Sequence, residues 1–413
     1  MKKITPLILK AVLLLSLPFS FSLGLHSCKT DDMVEDTIEL GPPVETEPAE
    51  TDYQPAFVGQ TRAPGVTSST GFTATAISSA LQRPWGVTSL PDGRLLITEK
   101  GGTLRIATAS GDLSEPIDGL PAVDAAGQGG LLGLCLDPDF SSNRTIYWVF
   151  SEPSASGNLT AVGKGVLSEN EESIEQASVI YRATPAFAGD LHFGGRIVFD
   201  RSGNLLVSTG ERSALATRPQ AQDVTSALGK IVRITKDGQP APGNPAFAQG
   251  NARPELYAIG HRNPQGLAIH PETGDLWQSE HGPRGGDELN LVQGGRNYGW
   301  PTITYGIEYG GAAIGDAIQQ LDGMEQPVYY WDPVVSPSGM TFYSHSHHAE
   351  WRNNLFIASL SGQHIVRLVI REDKVVGEER LLAGENQRFR DVTQGTDGAL
   401  YAVTDQGRLY RIY

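Results

Sequence analysis

The chain is 413 residues long, enough for a large core, and 39% hydrophobic content is ordinary for a water-soluble protein. Its 48 glycines and 26 prolines imply dense turns, which suits short strands better than long helices. A net charge of −15 argues against a nucleic-acid partner, which would demand a basic face, and no polybasic membrane patch is present.

Residues 1–27 read as a targeting segment. Lys2, Lys3 and Lys10 precede an apolar run from Ala11 to Leu25 that is short for a membrane span. The run ends Leu25-His26-Ser27-Cys28, which resembles a lipoprotein signal cleaved before Cys28 with lipid on its sulfur, although His26 departs from the usual small residue. An ordinary secretory signal is the other reading. The following Lys29-Thr30-Asp31-Asp32 resembles an acidic tag that sends some bacterial lipoproteins to the cell surface. The expected location is therefore the outer membrane or cell surface, with the periplasm as the remaining option, and lipidated Cys28 is the only expected membrane contact.

Residues 28–64 are predicted to be an acidic, disordered spacer. Between Lys29 and Gln54 nine acidic residues stand against one lysine, with little apolar clustering. Loss of the three lysines in 1–27 takes the net charge to −18, of which this stretch carries −8, leaving −10 on the remainder. After cleavage Cys135 is the sole cysteine besides Cys28, so an intradomain disulfide is excluded. Its setting, LLGLCLDP, is that of a buried strand.

Residues 65–413 repeat one pattern. PWGVTSLPDGRLLITEK, GGLLGLCLDPDFSSNRTIYWVF, GGRIVFDRSGNLLVSTG, PQGLAIHPETGDLWQSEHG, PSGMTFYSHSHHAEWRNNLFIASL and FRDVTQGTDGALYAVTDQG each run through an apolar strand, turn, and return as a second strand. Six such hairpins without long helical periods predict an all-β, six-bladed β-propeller. A strand between Gly71 and Leu81 is expected to join the last blade and close the ring. In a propeller the openings of the inner strands converge on one funnel, where a site is expected.

The chemistry falls at those openings. Gln128, in GQGGLLG, is placed to hydrogen-bond a substrate or cofactor oxygen. His192, in DLHFGGR, is a candidate general base if its imidazole is neutral at working pH. In HRNPQGLA, Arg262 and Asn263 precede Pro264. The loop Gly282-Pro283-Arg284-Gly285-Gly286 lets backbone come close to a ligand, and with Asp287 and Glu288 it offers hard oxygen donors suited to calcium. Arg388 and Arg390 alternate with Phe389 on one strand face and, with Arg262, form a cationic group suited to carboxylates. His345, His347 and His348 share a loop without a partner cysteine or glutamate motif, which is a weak metal signal. Rossmann, P-loop and Gly-x-Ser-x-Gly signatures are absent.

The runs HRNPQGLA, EHGPRGGDE and NYGWP together resemble the soluble aldose sugar dehydrogenases, relatives of the soluble glucose dehydrogenase that uses pyrroloquinoline quinone (PQQ). The resemblance extends from about Arg83 to the C-terminus. It implies that His192 is the general base and Arg262 its catalytic partner. It also implies that Gln128, Arg262, Asn263, Tyr309, Ser338, Gly339, Arg388 and Arg390 line the cofactor. The carbonyls of Gly282 and Pro283 would hold a calcium ion against PQQ, and Glu288 and Tyr298 would serve a separate structural calcium. Two departures stand out. Leu191 replaces an acidic residue before the base, so His192 must be oriented from elsewhere. Ser361 stands where the family often has a lysine contacting PQQ.

The expected function is PQQ- and calcium-dependent oxidation of an aldose at the anomeric carbon to a lactone, with electrons leaving to an external acceptor. A glycan- or protein-binding surface propeller without turnover, and a calcium-dependent lactonase, are the alternatives.

Overall fold

The computed structural model describes residues 39–413, which form one compact unit. The expected signal, Cys28 and the first part of the spacer lie outside the described residues. Six sheets account for the strands. Blade 1 holds Pro84–Ser89, Leu95–Glu99 and Thr103–Ala107. Blade 2 runs from Leu131–Leu136 through Thr145–Ser154 and Gly157–Leu167 to Ile174–Arg182. Blade 3 is Ile197–Phe199, Leu205–Thr209, Lys230–Ile234 and Leu256–Ile259; blade 4 is Pro264–Ile269, Leu276–Glu280, Asp287–Val292 and Tyr329–Trp331. Blade 5 contains Pro337–Phe342, Leu355–Ser359, Ile365–Arg371 and Lys374–Leu381. Blade 6 is Phe389–Gln394, Leu400–Thr404 and Leu409–Ile412, and its fourth strand is Ala74–Ser78 from the start of the domain. The six-bladed propeller and its closure by the 71–81 stretch are as expected.

The first strands of consecutive blades contact one another in order, and that of blade 6 meets that of blade 1. Blades stack face to face, so each sheet interior is buried on both sides. The second strands of blades 1, 3, 4, 5 and 6 are therefore buried at every residue, not at alternate ones. Hydrophobic clusters fill the gaps between neighbours. Leu96, Ile146 and Trp148 pack between blades 1 and 2, and Trp277, Trp331 and Phe342 between blades 4 and 5. Cys135 is partly buried in the first strand of blade 2, against the cluster shared with blade 3, and is free.

One ion pair plugs the axis. Arg196 of blade 3 meets Asp391 of blade 6 at 2.7 Å, and both are buried. The Arg196 Nε donates to the Gln265 carbonyl of blade 4 at 2.9 Å, and its guanidinium lies 4.3 Å from the Trp85 ring centre of blade 1. Asp391 also accepts from the Val87 N–H at 2.8 Å. A side chain on Gly339 would run into Asp391 and Arg196, so blade 5 can approach the plug only with glycine there.

Part of the expected spacer is ordered, a correction to the disorder predicted for 28–64. Residues 39–64 lie along blades 4 and 5. Glu45 pairs with Arg380 at 2.8 Å, Glu50 pairs with Arg284, and Asp332 accepts from the N–H groups of Glu50 and Thr51 at 2.7 and 3.1 Å. Gln60 is fully buried, and Pro64–Gly65 pairs with the outer strand of blade 5. Composition signals disorder because it lacks apolar residues. This strap is instead held by charge-assisted bonds to particular partners. Among the described residues no helix is long and apolar enough to cross a membrane.

Candidate active site

His192 is held on every side. Its backbone sits at φ 48, in the left-handed region, and its N–H donates to Gln128 Oε1 at 2.8 Å. Arg212 clamps the same loop, donating to the carbonyls of Leu191 at 3.0 Å and Gly189 at 2.6 Å, with its guanidinium 4.0 Å from the Phe193 ring centre. The His192 carbonyl comes so close to Gly210 that a Cβ there would stand 2.2 Å from it. The ring is fixed by Glu211, whose Oε1 lies 2.6 Å from Nδ1. That answers the question raised by Leu191: the orienting carboxylate comes from the end of the next strand.

The electrostatics suit a base. Burial, then the charges of Arg262 and Arg212, push the imidazole well below its ordinary value, so His192 is neutral. Burial raises the Glu211 carboxyl to about 7, against the opposing pull of Arg262 and Arg218. With Glu211 ionised, Nδ1–H donates to it and the Nε2 lone pair is left for a substrate proton.

Arg262 and Asn263 are positioned by Glu280, which accepts from their N–H groups at 2.5 and 3.3 Å and from His261 Nδ1 at 2.9 Å. The Arg262 guanidinium donates to the carbonyls of His281 at 2.9 Å and Gly282 at 2.7 Å, and reaches the Tyr309 hydroxyl at 3.4 Å. Asn263 Oδ1 accepts from the Gly194 N–H at 3.0 Å, tying blade 3 to blade 4. Asn263 Nδ2, Arg262 Nε and His281 Nε2 are buried without a partner among the described residues. Asn263 Nδ2 and Arg262 Nε are two buried donors left unpaired, which a ligand rich in acceptor oxygens would satisfy.

A cavity of about 430 Å³ opens beside this group. Gln128, Tyr309, Arg388 and Arg390 line it, together with Arg83, Trp85, Lys100, Gln265, His281, Ser336 and Asp405. Arg388 and Arg390 share Asp405 at 3.1 and 2.9 Å, and Arg390 donates to Gln265 Oε1 at 2.8 Å. Arg388 and Arg390 of the expected cationic group therefore line this cavity, whereas Arg262 lines the neighbouring void beside Glu280 and Gly282. Ser338 and Gly339 are displaced from their expected place. A bulge between Pro337 and Met340 turns Ser338 into the interior and Gly339 toward the axial plug, and Ser336 faces the cavity instead.

A second void of about 10 Å³, room for one water-sized sphere, is lined by Glu280, Gly282, Pro283 and Glu288 among others. These are oxygen donors, and burial together with the Glu280 charge raises Glu288 well above the ordinary carboxyl range, as in a site lacking its counter-charge. Tyr298 is not part of it. Its hydroxyl donates to Leu291 and accepts from the Gln293 N–H, both at 2.8 Å, and its ring stacks on His261. No cluster of three or more His, Cys, Asp or Glu suited to a metal occurs among the described residues, and His347 and His348 are engaged in stacking on Tyr413 and Trp351.

Residues 81–411 match the family described as Glucose / Sorbosone dehydrogenase. The chain belongs to that family. It is 42% identical over 341 residues to aldose sugar dehydrogenase YliI of Escherichia coli K12, covering 81% of this chain and 91% of that protein. The apo crystal structure of the soluble aldose sugar dehydrogenase from Escherichia coli superposes with a TM-score of 0.79 at 40% identity, covering 83% and 99% of the two chains. The PQQ-bound aldose sugar dehydrogenase from Streptomyces coelicolor gives 0.69 at 30% identity, covering 83% and 98%.

For a Glucose / Sorbosone dehydrogenase member, sequence reasoning missed Glu211, Lys100, Arg83, Trp85 and His281. A signal for Glu211 exists. His192–Glu211 and His261–Glu280 have the same separation of 19 residues, a histidine before an inner strand and a glutamate at the end of the next.

Proposed function

We propose that this protein oxidises aldose sugars at the anomeric carbon to lactones, with PQQ and calcium as cofactors, and passes the electrons to an external acceptor. The observation that carries the reading is a neutral histidine, locked by a buried glutamate and with its backbone N–H donated to Gln128 of the cationic cavity's lining. When bound, PQQ supplies a quinone that takes up two electrons, and calcium supplies a fixed positive charge beside it.

The chain's own residues do the rest. His192 Nε2 receives the proton of the anomeric hydroxyl, and Glu211 stabilises the imidazolium that results. Arg262 offers positive charge where negative charge develops. Arg388 and Arg390 hold carboxylates, and Asn263 and Gln128 present polar groups to the bound molecules. The carbonyls of Gly282 and Pro283, with Glu288 in the same void, would be the donors offered to calcium.

The test is to add PQQ and calcium to purified protein and follow dye reduction over a panel of aldoses. Reduction requiring sugar, PQQ and calcium supports the reading. Saturable PQQ binding without turnover on any aldose, or lactone hydrolysis without PQQ, would replace it with a binding propeller or a lactonase. We further propose export as a lipoprotein anchored through Cys28 at the outer membrane or cell surface. Labelling with a radioactive fatty acid that persists in Cys28→Ser would rule that out.

A further inference from the structure

The cavity carries more positive charge than the arginine pair accounts for. Arg83, Lys100, Arg388 and Arg390 line it against the single carboxylate of Asp405, leaving three positive charges. Asp405 is shared by Arg388 and Arg390, which leaves one positive charge on blade 6 and two, Arg83 and Lys100, on the blade 1 wall. Arg83 is exposed, without an ion-pair partner among the described residues, and its backbone is held at φ 52 in the left-handed region just before Pro84. Lys100 is buried at 7% exposure, and its backbone N–H donates to the Arg83 carbonyl at 3.0 Å. One Nζ proton is donated to the Ala125 carbonyl at 2.7 Å. An ammonium has three protons, so the others remain for a ligand. On the opposite wall Ser361 is bonded to Ser336 at 2.8 Å and brings no charge.

We infer that Lys100, with Arg83 beside it, is a cofactor-anchoring residue whose ammonium binds a carboxylate of PQQ from the blade 1 side of the cavity. This rests on the PQQ reading above and deepens it. Three unbalanced positive charges match a planar molecule with three carboxylates. Trp85 lies on the same wall, its ring packed against Arg196 and Arg390. The anchoring is divided: Arg388 and Arg390 grip from blade 6, Lys100 and Arg83 from blade 1, and position 361 on blade 5 contributes none.

The charge on Lys100 depends on what faces it. Burial lowers its ammonium to about 8; Arg83 and Arg390 push the same way, and Asp405 and Asp124 oppose them. Arg388 and His281 face it across the cavity, and Glu99 precedes it in the chain. A bound tri-anion restores the proton. Above pH 8, PQQ binding therefore takes up a proton, and affinity falls as pH rises, by up to about tenfold per pH unit.

The experiment is calorimetric titration of the full-length protein with PQQ at fixed calcium, in two buffers of different ionisation enthalpy, for wild type, Lys100→Gln, Lys100→Arg and Lys100→Gln/Ser361→Lys. The expected result is that Lys100→Gln binds roughly 10–100-fold more weakly, the scale of one charge-assisted hydrogen bond. Lys100→Arg should stay within about threefold of wild type, and the double variant should recover part of the loss. Proton uptake at pH 8.5 should be present in wild type and absent in Lys100→Arg. Equal affinity of Lys100→Gln and wild type overturns the inference, as does proton uptake unchanged in Lys100→Arg, even if Lys100→Gln folds poorly. Wild type that fails to bind PQQ at all overturns the proposed function first.

Discussion

Replacing Glu211 by glutamine isolates the charge that supports His192. The two side chains are buried and 2.6 Å apart between Nδ1 and Oε1. When Nε2 takes a proton, the imidazolium and carboxylate charge centres stand about 4 Å apart, an attraction of ~4 kcal/mol at an effective dielectric near 20. Glutamine keeps the shape and an accepting oxygen but loses that attraction. At ~1.4 kcal/mol per tenfold, turnover should fall by roughly 10²–10³-fold. KM should change little, because the neutral ground state needs no counter-charge. The pH profile gives an independent sign. The Glu211 carboxyl is raised to about 7, so it ionises as pH climbs through that value, and only then does Nδ1–H donate and free Nε2. Wild-type turnover should rise through about pH 7, and Glu211→Gln should lack that limb. Steady-state dye reduction from pH 5.5 to 9 with saturating PQQ and calcium reads both. A variant within about threefold of wild type across that range would refute the dyad, since no comparable charge would have been lost.

His192→Ala should lower turnover by roughly 10²–10⁴-fold while PQQ affinity, measured by fluorescence quenching, stays near wild type. Chelation that removes calcium, verified by elemental analysis, should abolish activity and weaken PQQ binding together; activity surviving metal-free preparation would sink the calcium assignment. Asp391→Ala leaves Arg196 buried and unpaired, so urea unfolding should show a loss of about 3–5 kcal/mol, against a smaller loss for Asp391→Asn. Deleting residues 39–64 should lower the unfolding temperature in calorimetry, by about 2–4 °C for each kcal/mol the strap contributes. No shift would mean the strap's ion pairs are worth nothing net.

The blades were legible because each hairpin announces itself twice, in apolar strands and in the Asp/Gly/Pro turn between them. Ring closure was legible for the same reason, since Ala74–Ser78 reads as a strand without a hairpin of its own. Alternation and position in a strand opening led to Arg388 and Arg390, and both line the cavity. Ser338 and Gly339 were not, because a bulge breaks the alternation just where they lie. Glu211 was invisible to local reading: its role depends on pairing between strands that brings position 211 beside 192. The Tyr298 hydroxyl is committed to Leu291 and Gln293, so a part in an ion site would fall to its backbone carbonyl, which a sequence pattern does not distinguish. The strap was misread because composition weighs apolar residues and cannot see Glu45 meeting Arg380.

The closing strand has a kinetic meaning as well. Leu409 pairs with Ser78 and Ile412 with Ala74, so the last sheet joins the two ends of the propeller chain. Each blade can form locally, but this pairing needs the whole polypeptide and is an intrinsically slow contact to find. Blade 6 also carries Arg388, Arg390 and Asp405 to the cavity, and its neighbour across the seam carries Arg83 and Lys100. The pairing that closes the ring thus lies within the blade that supplies one wall of the pocket. A chain in which that pairing has not formed is expected to lack the blade 6 wall of the pocket, and so to bind PQQ poorly.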